Sequence, residues 1–163
     1  MKFNTKQICI ISVFLALTFI ITRFIQIPIP LGYVNVGNCI ILSSCILTPF
    51  PAGIIIGSLG STLADLSSFP VYALPTLFIK ALMPLLFNLL YKPGKHKFGR
   101  AILASIIALL IPVVGYTLSG CFIYNSFATG LVQLPGLLVE YAVNLVMFIV
   151  LLKPVLNIHK RLN

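Results

Sequence analysis

The sequence predicts an all-α integral membrane protein, a bundle of six transmembrane helices with both termini in the cytoplasm. The first observation is composition: of 163 residues, 60% are hydrophobic and 8% are charged, whereas soluble domains carry roughly 25% charged residues. A soluble domain this small could not bury so much apolar surface. The other observations are six apolar runs and the cations placed between them. One transmembrane domain is expected over residues 1–163 because no long polar stretch could fold separately.

Six apolar runs, separated by turn residues and charges, divide the chain. They cover residues 8–27, 36–47, 52–66, 75–91, 101–124 and 135–152. A helix that crosses a membrane needs about 20 residues, so the second and third runs are short. Their proline and glycine content indicates tilted or broken helices, which are tolerated only where the irregular backbone is covered by protein or lines a cavity. These two runs therefore predict a cavity.

The cations predict the orientation. Nine of the eleven Lys and Arg residues lie before the first run, between the fourth and fifth runs, or after the sixth. They are Lys2, Lys6, Lys92, Lys95, Lys97, Arg100, Lys153, Lys160 and Arg161. With six spans, all three places are on the same side of the membrane, and the positive-inside rule makes that side cytoplasmic.

Four ionisable residues remain, and each is costly at membrane depth unless it faces a partner or a cavity. They are Arg23, Asp65, Lys80 and Glu140. Lys80 and Glu140 follow the prolines that start the fourth and sixth runs, and both lie roughly 7–8 Å below those helix starts. The two charges either neutralise each other and order two helices or contact a ligand. Asp65 either caps the turn after the third run or faces the same ligand.

Polar and aromatic residues gather at the same depth as these charges. Tyr116 and Ser119 are included because their spacing places them on one helix face. The predicted substrate-binding residues are Asn35, Asn38, Asp65, Tyr72, Lys80, Tyr116, Ser119, Gln133, Glu140 and Asn144. Rings that stack and amides that bond to ring edges suit a small aromatic heterocycle with hydroxyl groups.

Ser12 and Ala16 form a small-xxx-small pair in the first run. Small residues let another helix approach closely in lipid, where no hydrophobic force drives association. The pair is therefore a candidate docking site for a partner helix.

Several other classes of protein fit the sequence less well. The cations are scattered without interleaved aromatics, which disfavours nucleic-acid binding. The four cysteines show no metal-ligand spacing, so we expect no metal and no cofactor. An intramembrane enzyme needs a set of catalytic groups, and the chain has two acidic residues in all. A channel needs a polar stripe from face to face. The enzyme and the channel remain the less favoured alternatives.

Three segments carry a resemblance to a known family. They are IPIPLGYVNVGN (27–38), GSLGSTLAD (57–65) and FPVYALP (69–75), the last followed by Ile79 and Lys80. The chain resembles the S components, the substrate-binding membrane subunits, of energy-coupling factor (ECF) transporters. Within that family it is similar to the group serving pyridoxine-type and hydroxymethylpyrimidine-type substrates. Members of this group often have Asp at the position of Asn38, and Asn and Gln at those of Leu137 and Glu140.

The resemblance implies a substrate-specific subunit of an ABC-type vitamin transporter rather than an enzyme. Such a protein lies in the plasma membrane of a bacterial cell, binds a vitamin or precursor with high affinity on the extracellular side, and assembles with a transmembrane coupling subunit and two ATPase subunits. The sequence contains no GxxxxGK[ST] motif for its own ATP hydrolysis. The Ser12/Ala16 pair resembles the small-residue motif with which such subunits dock. Riboflavin and thiamine remain alternative substrates.

Overall fold

The computed structural model describes residues 4–29, 31–91 and 98–162, which form a helical bundle with one β-hairpin. The helices are α1 (Thr5–Phe24), α2 (Gly37–Leu47), α3 (Ala52–Ser68), α4 (Ala73–Tyr91), α5 (Phe98–Ala108), α6 (Leu110–Ile123), α7 (Phe127–Val132) and α8 (Leu134–Leu162). A 3-10 helix, Pro70–Tyr72, precedes α4, and strands β1 (Gln26–Ile29) and β2 (Gly32–Asn35) follow α1. The helical class predicted from composition therefore holds, with the hairpin as an addition.

Four helical segments in the described part of the chain are long and apolar enough to cross a membrane. They are Thr5–Phe24, Pro70–Tyr91, Phe98–Ile123, which joins α5 to α6, and Phe127–Arg161, which joins α7 to α8. α2 and α3 correspond to the short second and third predicted runs. At 11 and 17 residues they are shorter than the roughly 20 residues of a full span.

The first predicted span is wrong at its end, because α1 stops at Phe24 and residues 26–29 form a strand. β1 pairs antiparallel with β2, with Ile27 opposite Val34 and Pro28 opposite Tyr33. A proline lacks the backbone donor that a continuing helix needs, and its ring disfavours the helical conformation for the residue before it. Leu31, just before β2, has a positive φ of 65°. The hairpin therefore turns the chain back over the end of the bundle.

The sixth predicted span is also wrong at its end, because α8 continues past residue 152 to Leu162. The prediction ended where the apolar residues end, but a helix can leave the apolar layer without stopping. The last turn of α8 contains His159, Lys160 and Arg161, and cations there interact favourably with the C-terminal end of the helix dipole.

α2 is enclosed by its neighbours, and almost all of its residues are buried. Below it lies an apolar core in which Phe87 stacks on Tyr91 and meets Phe148 edge to face. The outer faces of the longer helices are apolar and exposed, with Phe122 80% and Leu74 68% accessible. This arrangement matches a bundle solvated by lipid, in which a short helix is tolerated because protein covers it.

Several of the described cations lie at the end of the bundle opposite the hairpin. Lys153, Lys160 and Asn157 border a cleft with Phe98 at the start of α5, and Arg100 donates to the Leu90 carbonyl at 2.8 Å. The interval from Glu140 to Lys153 along α8 is about 20 Å at 1.5 Å per residue. The predicted cations Lys2, Lys92, Lys95 and Lys97 lie outside the described residues.

Candidate functional site

A cavity opens at the hairpin end of the bundle, between β1–β2 and the ends of several helices. Its volume is about 450 Å³, including the part that opens to the surroundings. The residues that line it are Thr22, Ile29, Leu31, Gly32, Tyr33, Asn35, Ser61, Asp65, Phe69, Tyr72, Lys80, Tyr116, Gln133, Leu137 and Glu140. The part of this space that the centre of a water molecule can occupy is about 40 Å³. Polar groups that converge on a concave site, as they do here, are typical of small-molecule sites.

Lys80 and Glu140 form the buried ionic centre of this cavity. Their side chains are 2% and 4% exposed, and Lys80 Nζ lies 4.0 Å from Glu140 Oε1. Asn38 connects them, because its Oδ1 accepts from Lys80 Nζ and its Nδ2 donates to Glu140 Oε1 at 2.9 Å. The pair thus connects α2, α4 and α8 and also lines the cavity. Contact of the pair with a ligand stays a prediction.

Asn144 lies behind the ionic centre and aligns α2 with α8. Its Nδ2 donates to the Asn35 carbonyl at 2.7 Å and to the Glu140 carbonyl at 2.9 Å, and its Oδ1 accepts from the Cys39 backbone N–H at 3.0 Å. Asn38 and Asn144 are therefore in contact with lining residues without being part of the lining. Their hydrogen bonds fix the positions of Glu140 and of the start of α2.

Asp65, near the end of α3, accepts hydrogen bonds from hydroxyl groups of two neighbouring elements. Its carboxylate accepts from Tyr33 of β2 and from Thr76 of α4, and the Thr76 oxygen lies 2.9 Å from the Tyr116 oxygen of α6. Burial and the Asp65 carboxylate raise the pKa of Tyr33 well above its ordinary value, so Tyr33 keeps its proton and donates it. Asp65 thus ties the hairpin to the helices at the cavity wall.

Aromatic rings form one side of the cavity. Tyr116 lies with its ring centroid 5.5 Å from Lys80 Nζ, a cation–π distance, and 6.2 Å from the Tyr72 ring in an edge arrangement. Tyr33 is 6.2 Å from Phe69. These rings form an aromatic surface in the cavity wall, and stacking of a heterocycle on it stays a prediction.

Two predicted residues lie in the wall with unused hydrogen-bonding atoms, and one predicted residue lies elsewhere. The Tyr72 hydroxyl and Gln133 Nε2 are buried without a partner within hydrogen-bond distance among the described residues. Ser119 is not part of the cavity lining, and its hydroxyl donates to the Gly115 carbonyl at 2.8 Å. The shared helix face did not place it in the site, because Tyr116 reaches the cavity and Ser119 turns back on its own helix.

Sequence reasoning missed several polar residues of the wall. Tyr33, Thr22 and Ser61 line the cavity, and Thr76 bonds to Asp65. All are uncharged and stand in apolar or turn sequence, so nothing in their spacing distinguishes them from ordinary packing residues. Among the described residues no group of three or more His, Cys, Asp or Glu is placed to hold a metal ion.

The predicted docking residues lie away from the cavity, on the outer face of α1. Ser12 and Ala16 are both exposed. The opposite face of the helix packs on α3, where Gly60 lies against Thr18 and the Leu15 carbonyl. α1 therefore presents a strip of small side chains to the outside of the bundle.

The chain is similar to known proteins in family, in sequence and in structure. A family model described as the S component of an ECF-type riboflavin transporter matches residues 2–157. A solved structure described as the S component of a bacterial ECF transporter is similar with a TM-score of 0.75 at 20% identity, covering 94% of this chain and 96% of that chain. A protein of Pyrococcus woesei, described as an uncharacterized protein in the gap 3' region, is 32% identical over 106 residues, which cover 64% of this chain and 71% of that protein.

Proposed function

Because the chain belongs to the family of ECF-type transporter S components, we propose that it captures a small water-soluble vitamin or vitamin precursor at the extracellular side and delivers it for uptake. The family consists of substrate-binding membrane subunits, not enzymes. The ligand site is the cavity at the hairpin end of the bundle.

The observation that carries this proposal is the buried ionic centre in an otherwise lipid-solvated protein. Lys80 and Glu140 are almost fully buried, and Asp65 is buried in the same wall. Charged groups at membrane depth are costly unless they pair with one another or face a cavity that holds water or a polar ligand. All three face one cavity, whereas the cations of α8 lie about 20 Å or more further along that helix.

The topology completes the proposal. α2 and α3 are the second and third of six spans, shortened because neighbouring helices cover them, and both termini are cytoplasmic. The cation-rich end of the bundle then faces the cytoplasm, as the positive-inside rule requires, and the cavity opens to the outside of a bacterial plasma membrane.

The ligand is an aromatic heterocycle that carries hydroxyl groups. The tyrosine rings of the wall suit a flat ring, and the amides and carboxylates suit its polar edge. The motif segments 27–38 and 57–65 support a pyridoxine-type or hydroxymethylpyrimidine-type compound. The description of the matching family supports riboflavin as the second candidate.

Uptake requires partners, because binding alone does not drive transport. We place a transmembrane coupling subunit on the exposed Ser12/Ala16 strip of α1 and two ATPase subunits behind it. The small side chains there allow close approach of another helix.

Titration calorimetry on the purified protein in detergent or nanodiscs tests the proposed function. The compounds are pyridoxine, hydroxymethylpyrimidine, thiamine and riboflavin. We expect tight, saturable binding of one of them, and mass spectrometry of the protein purified from its native host should detect that compound. Binding of none of the four, together with purification free of any small molecule, would refute the proposal.

A further inference from the structure

Many serine and threonine hydroxyls in the described helices bond to their own backbone. Each donates to a carbonyl three or four residues earlier, as is usual for these residues in helices within apolar surroundings. Examples are Ser43, Ser44, Ser58, Ser67, Ser105, Thr117 and Ser119. A hydroxyl satisfied in this way needs no other partner.

Four buried serine and threonine hydroxyls among the described residues depart from this pattern, those of Thr18, Thr22, Ser61 and Thr62, and two of the four line the cavity. Thr22 of α1 and Ser61 of α3 are 2% and 1% exposed, and both line the cavity. Neither Oγ atom has a hydrogen-bond partner among the described residues. A buried polar group without a partner costs roughly 1–3 kcal/mol, so each hydroxyl has unused hydrogen-bonding capacity in a residue that lines the cavity.

Packing holds the two hydroxyls in place. α1 and α3 approach closely because Gly60 has no side chain. A Cβ added to Gly60 would lie 3.1 Å from the Cβ of Thr18. Thr22 lies over Gly37 at the start of α2, where an added Cβ would collide with the threonine oxygen. The wall therefore presents Thr22 and Ser61 from two helices that are fixed against each other.

We propose that Thr22 and Ser61 form a subsite that binds a hydroxyl group of the ligand. Each residue is neutral and can both donate and accept, which complements a ligand hydroxyl that does the same. A charged ligand group would be poorly compensated there, and it is better served by Asp65, Lys80 and Glu140 on the ionic side of the cavity. This inference rests on the proposed function and adds which part of the ligand is recognised by α1 and α3.

The experiment compares ligands with and without the relevant hydroxyls. The pairs are pyridoxine with 4-deoxypyridoxine and 5-deoxypyridoxine, and riboflavin with lumiflavin, which lacks the ribityl hydroxyls. Each is titrated against Thr22→Val and Ser61→Ala. The matched controls are Thr117→Val and Ser58→Ala, whose hydroxyls bond to their own helices.

Each subsite variant should weaken binding of the hydroxylated ligand by about fivefold, the worth of one neutral hydrogen bond. For at least one hydroxyl-deficient analogue, the subsite variants should bind with the same affinity as the wild-type protein. Thr22→Ser, which keeps the hydroxyl, should retain affinity, and so should both controls.

The outcomes separate this inference from the proposed function. The subsite is overturned if the wild-type protein binds a ligand and every variant binds it with the same affinity. It is also overturned if the subsite variants lose affinity equally for hydroxylated and hydroxyl-deficient ligands. Both outcomes leave the proposed function intact. A wild-type protein that binds none of these compounds contradicts the proposed function, and the subsite falls with it.

Discussion

Asn38 is the residue through which the two buried charges of the site meet. It accepts from Lys80 and donates to Glu140, so one amide serves both members of a pair whose atoms are 4.0 Å apart. An amide suits this place because it carries a donor and an acceptor on one planar group. The carboxylate frequent at this position in the pyridoxine group would lack the donor for Glu140.

We predict that Lys80→Met weakens ligand binding by at least about tenfold, because a charge-assisted contact contributes roughly 1.5–3 kcal/mol. Glu140 left alone in the interior also destabilises the protein, since breaking a buried pair costs about 3–5 kcal/mol. Affinity by titration calorimetry and the unfolding temperature are measured together. Lys153→Met, a change of an exposed lysine on α8, should alter neither.

The double variant Lys80→Met/Glu140→Leu separates a structural role from a binding role. Replacing both charges with apolar groups of similar size is often neutral for stability, so the unfolding temperature should return toward the wild-type value. Affinity should stay low if the pair contacts the ligand. Recovery of both quantities would assign the pair to helix ordering alone.

The close approach of α3 to α4 depends on a glycine. A Cβ at Gly57 would lie 2.7 Å from the backbone carbonyl oxygen of Lys80 and 2.9 Å from Ile41 Cγ2. A backbone atom cannot move aside as a side chain can, so only glycine lets α4 bring Lys80 to the cavity at this distance.

Gly57→Ala should therefore destabilise the protein by about 1–3 kcal/mol, the usual cost of overpacking a filled interior. The expected readout is a lower unfolding temperature and, because the shift moves Lys80, weaker ligand binding. Gly99→Ala is the matched control, since nothing lies within 4 Å of its added Cβ. An unchanged unfolding temperature in Gly57→Ala would show that α3 and α4 have room to separate.

Substitutions on the outer face of α1 are predicted to change uptake without changing ligand affinity. Ser12→Leu or Ala16→Leu should leave ligand affinity unchanged, because both residues are exposed and far from the cavity. Uptake in cells that express the coupling subunit and ATPases should be lost, because a bulky side chain prevents close helix contact. Val13→Ala, on the same exposed face, is the control. Normal uptake by both leucine variants would argue against docking at this face.

The whole molecule has two chemically different ends. The ionic centre and the aromatic wall lie near the hairpin, and the described cations of α8 lie at the other end with the start of α5. This polarity fits the proposed orientation, in which the ligand enters from one face and the cations lie at the cytoplasmic face.

Labelling in intact cells tests this orientation. A membrane-impermeant maleimide should modify Ser67→Cys, an exposed position at the end of α3, in intact cells. It should modify Gly99→Cys, an exposed position at the start of α5, only after the cells are made permeable. Cys9 and Cys121 are replaced by Ser in the background, and Cys39 and Cys45 are buried. Labelling of Gly99→Cys in intact cells would reverse the orientation and with it the side of the site.

Much of the fold follows from the amino-acid sequence. Hydrophobic length and composition predict the helices, and α2, α3 and α4 begin within two residues of their predicted starts. The ends of α1 and α8 escaped prediction, since an apolar run continues through a strand after Phe24 and a helix continues through polar residues before Leu162. Hydrophobicity reports contact with lipid, not backbone conformation.

The sequence by itself determined that the chain lives in a membrane and that Asp65, Lys80 and Glu140 are exceptional, because a charge in an apolar run is visible as a cost. The tertiary structure alone decided that Asn38 joins two of these charges, that Ser119 bonds to its own helix, and that Thr22 and Ser61 line the cavity with hydroxyls that have no partner among the described residues. A neutral hydroxyl or amide occurs in many environments, so its presence in the sequence does not indicate a site. Its role depends on which atoms lie within hydrogen-bond distance, and only the packing of the helices sets those distances.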